Sequence, residues 1–146
     1  MSNKAWLVLE NGKIFEGYAF GATNTKSSGE VVFSTGMVGY GETMTDPSYT
    51  GQILCFTYPM IGNYGIPDST SQDLVNSPFE SKNIHLQGLL ISELSEDFSH
   101  WSAGQSLDQW MKQQNIPGIH GIDTRALTTL LREEGSMLGA ICFEYP

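Results

Sequence analysis

The chain is short of positive charge. Seven Lys and Arg stand against sixteen Asp and Glu in 146 residues, a net charge of −9. A surface of that sign opposes nonspecific association with phosphate backbones and anionic lipid, so neither nucleic acid nor a membrane is an expected partner. Long apolar runs are missing as well. The stretch Ile53 to Met60, broken by Thr57 and Tyr58, falls far short of the roughly 20 residues that span a bilayer. Near the N-terminus Glu10 stops the apolar run Ala5 to Leu9, whereas a secretory signal needs about 7–15 such residues, and the expected location is cytoplasmic. Cysteine is scarce: Cys55 and Cys142 sit inside apolar runs and form no CxxC pair, which predicts two reduced, buried, inert thiols rather than a disulfide framework or a nucleophile. The histidines His85, His100 and His120 lack the spacing of zinc motifs, and no metal site is expected. The glycines between Gly36 and Gly41 match neither GxxxxGK[ST] nor a strand–GxGxxG–helix context, and suit tight turns instead.

What is present suits one ordinary domain over residues 1–146. With 40% hydrophobic and 11% aromatic residues, a chain of this length buries roughly 68–70% of its unfolded surface, without help from disulfides or metal. The first half reads as strands. Ala5–Leu9 and Ile14–Phe20 flank Asn11-Gly12, a hairpin signal that predicts positive φ at both turn positions. Gly21 to Gly29 reads as a loop, and Glu30–Thr35 as a third strand. The long stretch Gly36–Gly51 has no sustained period; within it Thr45-Asp46-Pro47-Ser48 carries a capping carboxylate before a proline, the order expected at the first turn of a short helix. Further strands are expected over Gln52–Tyr58 and Leu86–Ser92, with a long connection from Pro59 to Ser81 between them.

The period then changes. Ser106-x-x-Gln109 forms a capping box ahead of Leu107, Trp110 and Met111, and Asn115 and Pro117 stop that helix. Asp123 caps a second helix, Ile122 can staple to Leu127, and the apolar stripe Ala126, Leu127, Leu130 and Leu131 ends at Gly135. Met137–Phe143 is a last strand. Strands first and helices later predict an α+β or mixed β/α layered domain rather than a doubly wound sheet. Glu93, Glu96 and Asp97 suggest a solvated loop face more than an acid/base pair. No complete catalytic apparatus emerges, and on these grounds alone the chain reads as a binding or assembly domain.

Collinear segments add a resemblance. Gly29-Glu30-Val31-Val32-Phe33, Gly39–Tyr49 (GYGETMTDPSY), Thr57–Gly65 (TYPMIGNYG), Gly88-Leu89-Leu90, Ser106–Trp110 (SLDQW), Gly121–Thr128 (GIDTRALT) and Leu131–Gly135 (LREEG) together resemble the N-terminal domain of the small, glutamine-hydrolysing subunit of carbamoyl phosphate synthetase. The departures are Ser34 and Gly41, where the family commonly has Asn and Gln.

The resemblance implies a two-subunit ligase. Its small subunit releases ammonia from glutamine, and its large subunit, using ATP and divalent metal, combines that ammonia with bicarbonate for arginine and pyrimidine synthesis. In the family the Cys-His-Glu machinery lies in a C-terminal class I glutamine amidotransferase domain, absent from this chain. The present domain is therefore expected to carry no catalytic residue and no cofactor, to be inactive alone, to border the glutamine site and to dock on the large subunit. The implied fold is a layered β/β/α domain of the swivelling type. One substrate contact carries over, Ser48 to glutamine; physically, free N–H groups and a hydroxyl in a first helical turn can meet a carboxylate or amide. The competing reading is that Ser48 only closes its own turn. Tyr40, Tyr49, Tyr58 and Tyr64 are either interface anchors or locally packed loop residues. The alternative to an enzyme part is a free-standing interaction module of the same fold.

Overall fold

The computed structural model describes residues 3–23, 25–35, 44–57, 84–92 and 107–146. The Glu93, Glu96, Asp97 group, the Gly36–Gly41 glycines, His100 and the Pro59–Ser81 connection lie outside them. Strands β1 (Lys4–Leu9), β2 (Ile14–Gly21), β3 (Ser27–Ser34), β4 (Gln52–Phe56), β5 (Gly88–Leu90), β6 (Pro117–His120) and β7 (Met137–Cys142) close a barrel in the order β1-β2-β6-β5-β4-β3-β7. β3, β4, β5 and β6 run parallel in succession, and the remaining pairings are antiparallel. Helix α1 spans Leu107–Gln113 and helix α2 Thr124–Glu134.

Strands β4, β5 and β6 are buried on both faces, as parallel strands are when elements pack on either side. Along β4, Ile53 and Cys55 enter a cluster with Leu7, Val31, Ile119, Ile141 and the α2 residues Leu127, Leu130 and Leu131. Leu54 and Phe56, pointing the opposite way, join Phe20, Leu89, Trp110 and Met111 under α1. The strand period of two thus sorts one segment between two cores.

Helix α2 keeps its expected punctuation at both ends, and α1 keeps it at its C-terminal end. Asp123 caps α2, its Oδ1 accepting from the Ala126 N–H at 3.0 Å, while the staple residues Ile122 and Leu127 are both buried. The Gly135 N–H closes the far end on the Leu131 carbonyl at 2.8 Å. α1 stops at Asn115, whose φ of +63° makes it a left-handed cap. Ser106, the expected cap of α1, lies outside the described residues. Asp108 fastens α1 to the barrel by accepting from the Gly21 N–H at 2.6 Å.

Three expectations need correction. The hairpin turn is not a two-residue turn with positive φ at both positions. Gly12 alone takes positive φ, at +91°, and the Gly12 N–H bonds the Leu9 carbonyl while the Leu9 N–H bonds Lys13, both at 2.9 Å. That is a three-residue loop ending in a glycine bulge, and Asn11 serves it by accepting from the Lys13 N–H at 3.0 Å. β3 begins at Ser27, inside the expected loop, because Ser27 and Ser28 pair with Ile141 and Ala140 of β7. β6 was not expected at all: Pro117 reads as a helix stop, yet it also opens a strand that pairs with β2 and β5.

Candidate functional site

Asp46-Pro47-Ser48-Tyr49-Thr50 forms a single 3₁₀ turn over Pro47–Tyr49, just ahead of β4. Proline fixes the first helical φ, and Asp46, at φ −72° and ψ 120°, stands outside the turn as its cap. Its carboxylate accepts from the Ser48 N–H at 3.0 Å and its carbonyl from the Tyr49 N–H at 3.1 Å. Thr50 closes the other end, its N–H and its hydroxyl both donating to the Pro47 carbonyl, at 3.1 and 2.6 Å.

The expectation of free N–H groups in this turn is therefore wrong. Residues 48, 49 and 50 all spend their amides internally, because the i→i+3 bonds of the turn take those of Tyr49 and Thr50 and the capping Asp46 side chain takes that of Ser48. The turn is closed by Asp46 and Thr50, so the serine hydroxyl is not needed for closure, and Ser48 is exposed. Tyr49 is half-buried and packs on the Leu54–Phe56 core, which favours local packing over an interface role. Tyr40, Tyr58 and Tyr64 lie outside the described residues.

The turn sits on a braced floor. Glu30 of β3 accepts from Gln52 Nε2 at 2.8 Å and from Ser136 Oγ at 2.7 Å. These bonds, Ser136 first, hold its carboxyl below the usual glutamate range. A Cβ on Gly29 would collide with the Gly51 carbonyl oxygen, so the first residue of the GEVVF segment lets the chain leaving the turn cross β3. Neighbouring backbone ties it further: the Gln87 N–H bonds the Gln52 carbonyl at 2.8 Å and the His85 N–H bonds the Met44 carbonyl at 3.1 Å.

The thiols do no visible chemistry. Cys55 is fully buried in β4, and desolvation pushes its pKa up to about 12, so it is a neutral core group at physiological pH. Cys142 is free but only half-buried, more accessible than its apolar flanks suggest, because it lies on the outward face of β7 opposite Trp6. His120 is half-buried between the Tyr18 and Phe20 rings, 5.8 Å from each centroid. Among the described residues no group of three His, Cys, Asp or Glu could hold a metal ion.

The family model described as "Carbamoyl-phosphate synthase small chain, CPSase domain" matches residues 7–141. The chain is 49% identical over 140 residues to the carbamoyl phosphate synthase arginine-specific small chain of Candida albicans, a match covering 94% of this chain and 32% of that one. The protein of the same name from Saccharomyces cerevisiae is 49% identical over 142 residues, with 96% and 34% covered. Multifunctional protein pyr1-3 of Dictyostelium discoideum is 52% identical over 143 residues, with 94% and 6% covered. The chain thus spans about a third of the small chains and a small fraction of the multifunctional protein. On a family match over nearly its whole length, the chain belongs to the carbamoyl-phosphate synthase small chain family and corresponds to its CPSase domain.

Proposed function

We propose that this domain is the non-nucleophilic part of a glutamine-hydrolysing carbamoyl phosphate synthase, serving arginine or pyrimidine synthesis in the cytoplasm. It forms one wall of the glutamine site through Ser48 and a docking surface for the large subunit. Glutamine hydrolysis falls to a C-terminal amidotransferase domain, and ATP and divalent metal fall to the large subunit. Alone, the domain is inactive. The buried, protonated Cys55 supports this reading, since a thiol without its thiolate is no nucleophile. We read the barrel, with helices α1 and α2, as the layered β/β/α arrangement of the swivelling type.

The observation that carries the substrate contact is the division of labour in the turn. Asp46 and Thr50 fix the backbone, and the exposed Ser48 side chain is left for an outside partner. A hydroxyl on a pre-set backbone meets an amide or carboxylate with little ordering cost. The test is Ser48→Ala in the full two-domain subunit with its large subunit. The glutamine KM should rise about threefold to tenfold, the loss of one neutral hydrogen bond, while ammonia-dependent synthesis is unchanged. An unaltered KM removes Ser48 from the site.

A further inference from the structure

The parallel strands β4 and β5 run away from the Ser48 turn, and beyond their C-terminal ends, the usual place for ligands on parallel strands, lies an open cleft of about 490 Å³. Thr57, which follows β4, and Ser92, two positions past the end of β5, line it together with Ile122, Asp123, Thr124 and Arg125. The Gly121 N–H bonds the Ser92 carbonyl at 2.9 Å and the Thr57 N–H bonds the Ser34 carbonyl at 3.1 Å, so the rim is tied to the barrel. One strand length, roughly 17 Å, separates this cleft from the turn that carries Ser48.

Two features of the cleft are unspent. Thr124 is 6% exposed, and among the described residues its hydroxyl has no hydrogen-bond partner; its neighbour in the helix, the equally buried Thr128, donates to the Arg125 carbonyl at 3.1 Å. A buried hydroxyl facing a cleft without a partner is a group waiting for one. The second feature is a separated pair of charges. Among the described residues the ion pairs are Lys4–Glu16 and Lys112–Asp108. Asp123 and Arg125 are therefore not joined to each other, although both line the cleft two residues apart. One Asp123 oxygen caps the helix through Ala126, and the other faces no described donor.

We propose that this cleft binds a free α-amino acid by both of its charges, the ammonium on the Asp123 carboxylate and the carboxylate on the Arg125 guanidinium and the Thr124 hydroxyl. A bare anion would meet Asp123, and a bare cation would meet Arg125; a zwitterion satisfies both. This site is independent of the glutamine contact proposed for Ser48.

The test is titration of the 146-residue chain with glycine, methylamine and acetate, followed by amide chemical shifts. Glycine should saturate shifts at Ser92 and Gly121–Arg125, and methylamine and acetate should each bind at least about tenfold more weakly, for want of one charge-assisted contact. Asp123→Asn keeps the helix cap while removing the charge; it and Arg125→Gln should each weaken glycine about tenfold or more. Ser48→Ala should leave glycine binding intact. Acetate binding as tightly as glycine, no saturable shift at Ser92 and Gly121–Arg125, or unchanged affinity in both charge variants each overturns the proposal.

Discussion

Glu30 accepts a 2.7 Å hydrogen bond from the hydroxyl of Ser136, 106 positions further along the chain. Its other oxygen accepts from Gln52 at 2.8 Å. The pair joins β3 to the residue after Gly135 and to the first residue of β4, where the Ser48 turn hands over to the barrel.

That relationship has a pH signature. The two bonds favour the carboxylate and lower the Glu30 pKa below 4.5. A group whose folded pKa is depressed contributes stability that is whole above its unfolded value and lost as pH falls through its folded one. The melting temperature of the native chain should therefore exceed that of Glu30→Gln at pH 7, and the difference should shrink as pH drops below about 4.5. A gap that stays constant from pH 7 to pH 3 would separate Glu30 from this role.

Gly29 gives a steric prediction at the same crossing. The atom a Cβ would strike is a backbone oxygen, that of Gly51, and a backbone cannot swing aside as a long side chain can. Gly29→Ala should cost about 2–3 kcal/mol, at the upper end of overpacking, read from the urea midpoint. Ser28→Ala, one residue earlier at an exposed position, should stay within about 0.5 kcal/mol. Equal midpoints for the two variants would mean that the crossing is loose.

Cys55 and Cys142 should separate in a labelling experiment. With its pKa pushed up to about 12 and no exposure, Cys55 offers neither thiolate nor access. At pH 8 a thiol reagent should modify half-buried Cys142 first, and Cys55 only as fast as the barrel opens. In denaturant the two should react alike. Native Cys55 reacting at the denatured rate is the outcome that would sink the inert-core reading.

Much of this fold was legible because local and global signals agree. Asp123, Ile122 and Leu127 spell a capped, stapled helix start, and all three are used that way. Asn115 and Pro117 end a helix for backbone reasons that need no tertiary information. β6 was illegible for the converse reason. Pro-Gly is poor strand material by propensity, and it is a strand because Phe20 and Met111 pack against Gly118 where a Cβ would lie, with ring atoms of Phe20 only 2.5 and 2.7 Å from that point. The early start of β3 likewise depends on β7, more than a hundred residues away. At the candidate site the Asp-Pro-Ser order announced the turn, but which atoms would remain free depended on Thr50 doubling back onto Pro47, and the sequence pattern did not weigh that residue.

Asp46 offers the sharpest check on that turn, because its bonds reach the proposed glutamine contact only through the backbone that carries Ser48. Its carboxylate holds the Ser48 N–H at 3.0 Å and its carbonyl holds that of Tyr49 at 3.1 Å. Asp46→Ala removes the first of these and should lower stability by about 1 kcal/mol, the usual cost of a lost cap. Asp46→Asn retains an acceptor oxygen and should lose little. If Ser48 contacts glutamine and Asp46 positions it, Asp46→Ala in the two-domain subunit should raise the glutamine KM while ammonia-dependent synthesis holds, and Asp46→Asn should restore it. The double variant Asp46→Ala/Ser48→Ala should then be no worse in KM than the Ser48→Ala single variant, because both changes act on one contact. Additive effects on KM would instead give Asp46 a separate role in the site.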